Sequence, residues 1–366
     1  MKILFLVPYP LGEAPSQRFR FEQYFTFLKE VGHDYKVQGF LDQKTWSILY
    51  KPGQIFSKAF GIASGFTRRL LILLTAHRYD FIFIHREATP IGPPIIEWLL
   101  AKVFKKKIIY DFDDAIWLPN ISEENSIAAK LKWHQKVKHI AQWSYKLSCG
   151  NEYLANWASQ WNDRVFIIPT TIDLVNQHNE LHHESSESIT IGWTGTHSTA
   201  KYLSLIEPAL QTLAQKHPTI NFSFISNKPI EINLPNLKFI KWNKSSEIED
   251  LNTIDIGIMP LTPDKWSEGK CGFKILQYMA LGIPTVASPV GVNKSIIDQG
   301  KNGYLAFTPD EWITYLSKLI TDKALRNRIG TEGYETVTNR FSTEAIRTRF
   351  LDLFSLKSPK STRKMP

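Results

Sequence analysis

Cysteine is almost absent from this chain of 366 residues: only Cys149 and Cys271 occur, far apart in sequence. That excludes a disulfide framework and any paired-cysteine metal knuckle, and it points to a reducing, cytoplasmic compartment. Long apolar runs are also missing. No stretch approaches the roughly 20 residues that span a bilayer, and the longest candidate, Leu70 to Ala76, is short and follows Arg68-Arg69. The opening Met1-Lys2-Ile3-Leu4-Phe5-Leu6-Val7-Pro8 has too short an apolar run and no small-residue cleavage site for a secretory signal. It is expected to form a first buried strand. Acidic residues are the minority among the charges, 35 against 44 Lys and Arg, which leaves a net charge of +9. Such a balance favours an anionic partner. Nucleic acid is the least supported of these, because no RNP or helix-turn-helix pattern occurs. Phosphorylated substrates and an anionic membrane surface remain.

Aromatic residues, by contrast, are plentiful: 11 Trp and 22 Phe can furnish two full cores. The chain length also fits two domains better than one. Continuous apolar runs alternate with helical patterns, which predicts parallel sheets wrapped by helices. Strands are expected at 3–8, 35–40, 81–85, 107–112 and 165–169, with helices at 16–31, 57–77, 94–104 and 126–145. The polar, aperiodic stretch 176–188 is expected to be a linker. The pattern then restarts, with strands at 190–194, 221–225, 237–241, 256–259 and 285–288 and helices at 199–216, 272–281, 310–321 and 343–354. The expected domains are therefore 1–175 and 189–340. A C-terminal helix at 341–356 is a candidate to pack back on the first domain, and 357–366 is a basic, disordered tail. Ligands of doubly wound sheets bind beyond the carboxyl ends of the strands, so the loops there carry the candidates.

Two such loops in the second half suit a phosphate. Gly195-Thr196-His197-Ser198-Thr199 joins a strand to a helix with a small residue and hydroxyl groups. Small residues allow close backbone approach, and hydroxyls and a helix N-terminus donate to anions. An ordinary capped turn explains the same residues equally well. The second stretch runs Glu268-Gly269-Lys270-Cys271-Gly272-Phe273-Lys274 and on to Gln277. Lys270 and Lys274, four apart, are expected on one helix face, where they can neutralise a diphosphate leaving group; a solvated lysine pair is the plain alternative. Gln277, a turn deeper, can bond a ribose or fill a buried polar pocket.

The first half offers polar groups at two strand ends. Ile84-His85-Arg86-Glu87 places a proton-handling imidazole, a cation and a carboxylate together, although a strand-end His is often structural and an Arg–Glu neighbour pair often only a surface ion pair. Asp111-Phe112-Asp113-Asp114 clusters carboxylates that can contact an acceptor, cap a helix or, as an Asp-x-Asp pair, hold a metal. The acceptor contact is the preferred functional reading, and no metal is expected. Arg18 follows the first strand and is a candidate acceptor contact. The stretch Lys58 to Leu74 mixes Phe, Leu and basic residues. It can lie on an anionic membrane surface or pack as a core-facing helix with a basic edge.

The stretch Glu268 to Gly291, with Gln277-Tyr278-Met279-Ala280, a turn and Pro284-Thr285-Val286-Ala287-Ser288, resembles the nucleotide-sugar signature of the family-four retaining glycosyltransferases. Gly291-Val292-Asn293, Gly300-Lys301-Asn302-Gly303-Tyr304-Leu305 and the region from Arg326 to Phe341 are similar to that family too. The resemblance is specific over 190–354 and looser before it. It implies the GT-B fold: two Rossmann-like, doubly wound α/β domains facing each other across a cleft. It implies transfer from a UDP- or GDP-sugar, used as substrate with no tightly bound cofactor, to the hydroxyl of a saccharide or lipid-linked acceptor. The pathway implied is cell-surface polysaccharide or glycolipid synthesis, with the protein peripheral at the inner face of a membrane. Within that reading the catalytic candidates are Lys270, Lys274 and Glu268, with His85 from the first domain. Gly195, Thr196, His197, Ser198, Thr199, Cys271, Gly272, Phe273 and Gln277 are the donor-binding candidates. Arg18, Arg86, Glu87, Asp111, Asp113 and Asp114 are the acceptor-binding candidates. Two departures stand out: Gln277 occupies the family's second Glu position, and Gly269 the first, with Glu268 one residue early. Two alternatives share this fold, a nucleotide-sugar 2-epimerase using Glu87, Asp111 and Asp113 as acid and base, and a catalytically silent sugar-nucleotide binding module.

Overall fold

The computed structural model describes residues 1–49, 51–119, 133–182 and 188–356. The described chain forms two units, Met1–Thr170 with the C-terminal stretch from Ile346, and Thr171–Ala345.

The first unit is built on six parallel strands: β1 (Lys2–Val7), β2 (Asp34–Gly39), β3 (Phe81–His85), β4 (Lys107–Phe112), β5 (Lys146–Cys149) and β6 (Val165–Ile167). Their order is β2-β1-β3-β4-β5-β6. Alternate residues point to opposite faces of a strand. Accordingly Ile3, Phe5, Val7, Phe81, Phe83 and Ile109 share one core with Phe21, Tyr24 and Leu28. The C-terminal residues Ile346, Phe350, Leu353 and Phe354 close that core. Tyr24 and Phe350 stack with ring centroids 4.2 Å apart. Lys146 fixes the chain end by donating to the carbonyls of Asp352 (2.8 Å) and Ser355 (2.9 Å).

One expected helix differs. In place of 16–31 there are short helices at Pro15–Arg18 and Phe25–Glu30 with a 3₁₀ turn at Glu22–Tyr24 between them. Residues 17–21 are all buried. A continuous helix turns through 360° in 3.6 residues and cannot bury five in a row against one sheet. Of the expected helix 126–145, the described part is Lys136–Trp143; 126–132 lie outside the described residues, as does the tail 357–366. Short helices at Gln43–Ile48 and Glu152–Ala158 add to the expected set.

The second unit repeats the plan with β7 (Thr190–Gly195), β8 (Asn221–Ser226), β9 (Leu237–Lys241), β10 (Ile256–Met259), β11 (Thr285–Ala287) and β12 (Tyr304–Leu305). Its order is β12-β11-β10-β7-β8-β9, again parallel. From β7 the chain winds outward through β8 and β9, then returns to the other side of β7 as β10. That reversal leaves the loops after β7 and β10 diverging at neighbouring strand ends. The expected helix 199–216 is broken into His197–Ala200, a 3₁₀ segment Lys201–Leu205, and Glu207–Lys216. Pro208, near the start of the last piece, lacks an N–H and clashes with a preceding turn, so the helix restarts there. Part of the expected linker 176–188 packs on this unit instead. The His182 ring bonds the Asn252 carbonyl and the Asp255 carboxylate, both at 2.9 Å, and its N–H donates to the Leu281 carbonyl.

Candidate functional site

The reversal of strand order beside β7 and β10 is where a doubly wound sheet opens a crevice, and the candidate donor residues gather there. β7 ends at Gly195, whose Cα lies against the buried Trp193 ring; a Cβ there would fall 2.5 Å from a ring carbon and 2.8 Å from Thr199 Oγ1. The turn beyond it is knitted by its own hydroxyls. Thr196 Oγ1 lies 2.8 Å from Ser198 Oγ, and Thr199 Oγ1 donates to the Thr196 carbonyl at 2.9 Å. Asn227, just past β8, holds His197 at two points. Its Oδ1 accepts from the His197 backbone N–H at 2.8 Å, and its Nδ2 lies 3.1 Å from the imidazole Nδ1.

After β10 the chain makes a short helix, Lys265–Glu268, and a turn through Gly269, Lys270 and Cys271. The helix Phe273–Ala280 then begins at Gly272, whose φ of +68° is left-handed. Glycine adopts that conformation without a steric penalty, and it brings no side chain to cap the helix. The left-handed residue also separates the lysines. Lys274 is helical while Lys270 precedes the helix, so the expected shared face does not form. Each lies on its own indole instead, Lys270 5.2 Å from the Trp266 centroid and Lys274 5.6 Å from Trp193. Rings so placed attract ammonium groups and hold both lysines at this sheet edge. Glu268, Cys271 and Phe273 are half-buried around the same turn.

The Phe273–Ala280 helix is locked to β7 by Tyr278, whose hydroxyl oxygen accepts from the Thr194 N–H at 2.9 Å. Burial pushes the Tyr278 phenol well above its ordinary range, so it stays neutral. Gln277 is buried, and its amide donates to Glu247 Oε1 at 3.4 Å; Trp242 Nε1 reaches the same oxygen at 3.3 Å. Glu247, Trp242 and Asn227 escape detection in the sequence. They come from loops after β8 and β9 that carry no local signature, and only the parallel order of the strands brings them alongside.

In the first unit the polar groups at the β3 and β4 ends are tied to one another. The register pairs His85 with Asp111. His85 Nδ1 lies 2.8 Å from Asp111 Oδ2, while Arg20 (2.5 Å) and Ser148 (2.6 Å) donate to Oδ1. Arg20 also donates to the Ile168 carbonyl. Burial alone would raise the Asp111 carboxyl, but the Arg20 charge and the His85 bond outweigh it and hold it well below the usual carboxylate range. His85 Nε2 is buried with no hydrogen-bond partner among the described residues, and the ring packs 5.5 Å from Phe21. Next along, Arg86 has a φ of +60°. Its side chain reaches Asp113 (2.9 Å) and Asp114 (2.7 Å), while Tyr110 donates to its carbonyl at 2.7 Å. Burial disfavours the guanidinium, and the two carboxylates more than restore it. Glu87 pairs with Lys136 at 2.8 Å. Arg18 is buried with its guanidinium 4.9 Å from the Phe19 ring. Among the described residues no group of three or more His, Cys, Asp or Glu is arranged to hold a metal ion.

Comparison with known proteins fits this geometry. Residues 188–322, which contain the β7 and β10 loops, match the family model for Glycosyl transferases group 1. Spore coat protein SA of Bacillus subtilis is 22% identical over 182 residues, and the match spans 44% of this chain and 47% of that relative, about half its length. Among solved structures, Anabaena Alr3699/HepE in complex with UDP superposes with a TM-score of 0.64 at 16% identity, covering 96% of this chain and 99% of that one. Sucrose-phosphate synthase from Thermosynechococcus elongatus gives 0.67 at 12% identity, over 97% and 98% of the two chains. The catalytic domain of starch synthase IV from Arabidopsis thaliana, bound to ADP and acarbose, gives 0.64 at 13%, over 96% and 98%. Residues 188–322 form a Glycosyl transferases group 1 domain, set in a chain of two α/β units with the GT-B fold.

Proposed function

We propose that this protein is a retaining glycosyltransferase that moves a hexosyl group from a UDP- or GDP-sugar to a hydroxyl of a saccharide or lipid-linked acceptor, without a metal ion. The second unit holds the donor. The Gly195–Thr199 turn and the backbone at Gly272 and Phe273 take the diphosphate, and Lys270 and Lys274 offset the charge that grows on it as the glycosidic bond breaks. Glu268 and Cys271 flank the sugar, and Gln277 with Glu247 meets the ribose. The acceptor hydroxyl attacks from the face the diphosphate leaves, and the departing phosphate oxygen takes its proton. The loops after β3 and β4, with Arg86, Glu87, Asp113 and Asp114, and the Arg18 loop contact the acceptor. His85 and Asp111 orient those loops. The setting is polysaccharide or glycolipid synthesis at the inner face of a membrane.

One observation carries the proposal: two lysines seated on indole rings meet a glycine-started helix at the strand reversal of a group 1 domain. Titration calorimetry with UDP, GDP and ADP, followed by transfer assays with the tighter binder's sugars, tests it. Lys270→Ala and Lys274→Ala are each expected to lower turnover about 10²-fold by weakening leaving-group stabilisation. Nucleotide binding and turnover unchanged in both would refute the phosphate assignment. NMR of the product anomer decides retention. A second reading, a silent binding module, is favoured by Gly269 and Gln277 standing where the family carries Glu; donor binding with neither transfer nor hydrolysis would establish it.

A further inference from the structure

An ordinary surface helix turns its apolar stripe to the core, but the helix Ile55–Leu73 carries large apolar groups outward. Its inward side has Gly61 against Thr45, Gly65 against Phe40, and Arg69, with Ile72 and Leu73 buried only at the C-terminal end. Its outward side carries Phe56, Phe60, Leu70 and Leu71, continued by Leu74 just past the end. Phe56 is 92% exposed, Phe60 78% and Leu74 72%. The stripe they form, about five turns long, contains no charged residue.

A second exposed apolar strip lies beside it, from Ile95 and Trp98 to Val103 and Phe104. The inward side of that segment carries Ile96 and Leu100 with the fully buried Glu97, so its exposed apolar groups are additional to those facing the core. Two contacts bring the segments together. Arg69 Nε donates to the Ala88 carbonyl at 2.7 Å, and Glu97 accepts from the Ala88 N–H at 2.9 Å. Lys106 Nζ donates to the carbonyls of His77 and Tyr79 at 3.1 and 2.9 Å. Within the two segments the charges have one sign, although Arg69 is buried and Arg68 pairs with Asp42 at 3.3 Å. Residues 51–79 contain Lys51, Lys58, Arg68, Arg69 and Arg78 and neither Asp nor Glu; residues 98–107 contain Lys102, Lys105, Lys106 and Lys107 and again no acid.

We propose that this face of the first unit docks on an anionic lipid bilayer, with the aromatic and leucine side chains in the headgroup boundary and the rim lysines on lipid phosphates. A contiguous exposed apolar patch marks an interaction surface. A mainly cationic rim with an uncharged apolar centre fits an anionic interface, where apolar burial and attraction to anionic headgroups act together. Among the described residues no helix is long and apolar enough to cross a bilayer. The inference deepens the membrane setting proposed above and makes no use of the donor site.

The test is co-sedimentation of the full chain with vesicles of phosphatidylcholine containing phosphatidylglycerol, and with phosphatidylcholine alone. The wild type is expected to bind the anionic vesicles and to release as salt rises. Phe56→Ser/Phe60→Ser should weaken binding at least tenfold through lost apolar burial. Lys102→Glu/Lys105→Glu should do so through charge. All four side chains are exposed, so nucleotide binding measured on the same preparations should be unchanged; its absence in the wild type would sink the donor assignment and leave this surface standing. Equal vesicle binding by wild type and both variants, or no preference for the anionic vesicles, would overturn the proposal. So would variants that abolish concentration-dependent self-association in sedimentation velocity while vesicle binding is absent, since the face would then belong to a second copy of the chain.

Discussion

Replacing Asp111 by Asn should destabilise the first unit by about 3–5 kcal/mol, the usual result of removing one partner from a buried ion pair. Asn has nearly the same shape and keeps an acceptor for Ser148 Oγ, so packing changes little. What changes is charge. Arg20 is 1% exposed, and Asp111 is the carboxylate it bonds at 2.5 Å. The guanidinium would stay buried without its counter-charge, which is costly in an apolar interior. A domain stabilised by some 5–15 kcal/mol would lose about a fifth or more of that. Arg20→Met should cost a similar amount. The double variant Arg20→Met/Asp111→Asn removes both charges and should lose at least 2 kcal/mol less than the sum of the singles. A chain of two units has no single unfolding free energy, so the assay is native-state hydrogen exchange by mass spectrometry. Peptides covering β3 and β4 report the first unit, and those covering β7 and β10 serve as internal control. A pH arm sharpens the test. The native Asp111 carboxyl lies below its unfolded value, so its contribution is present above about pH 4 and is lost as pH falls through the native value. The Asp111→Asn protein should therefore be less acid-sensitive, relative to its own neutral-pH stability, than the wild type. Additive single and double variants, or equal loss of protection in both units, would refute the claim that Arg20 and Asp111 stabilise each other.

Further outcomes follow from other contacts. Tyr278→Phe leaves the buried Thr194 N–H without its acceptor and should cost about 1–3 kcal/mol, read as a lower melting temperature; an unchanged value would show that the bond contributes nothing. Gly195→Ala places a Cβ 2.5 Å from the buried Trp193 ring and should cost about 1–3 kcal/mol of strain, together with weaker nucleotide affinity; wild-type stability and affinity would show that the ring has room to move. Burial pushes Lys146 down to about 8 from its ordinary 10.5, the Asp352 charge opposing this only in part. The unfolded chain thus binds more protons between those values, so the wild type should gain stability as pH rises from about 8 to 10.5. Lys146→Met should lack that gain in thermal melts across the window, and parallel profiles would count against it.

Local signals in the sequence located most of the framework. β9 and β10 fall where continuous β-rich runs are bounded by charged or polar residues, and the helix Phe273–Ala280 lies within a residue of its glycine and leucine limits. Failures came where distant contacts override local pattern. The segment 16–31 has helical spacing, yet Arg20 is drawn to Asp111, 91 residues away, and Gln17 to the Tyr9 backbone. The helix after His197 is broken ahead of Pro208, a local signal that competes with the helical spacing around it. In the candidate site, the glycines and lysines were legible because residue type alone marks a conformationally free backbone or a charge. The partner of Gln277 was not, because Glu247 lies 30 residues earlier in an unremarkable polar run.

The pairing at the β3 and β4 ends also bears on which reaction the chain can support. An epimerase that works through carboxylates needs one able to take up and return a proton near neutral pH. Here each candidate is bound to a cation: Asp111 to Arg20, Asp113 and Asp114 to Arg86, Glu87 to Lys136. A carboxylate whose charged form is favoured by such a partner is a weak base, and Asp111 is held well below the usual range. It is poorly suited to proton abstraction and, at neutral pH, carries no proton to give. Same-face transfer makes no such demand, because the departing phosphate oxygen serves as base. Under the transfer proposed above, the fixed pairs would act by shape and hydrogen bonding, and the charge to be offset would grow in the second unit, beside Lys270 and Lys274.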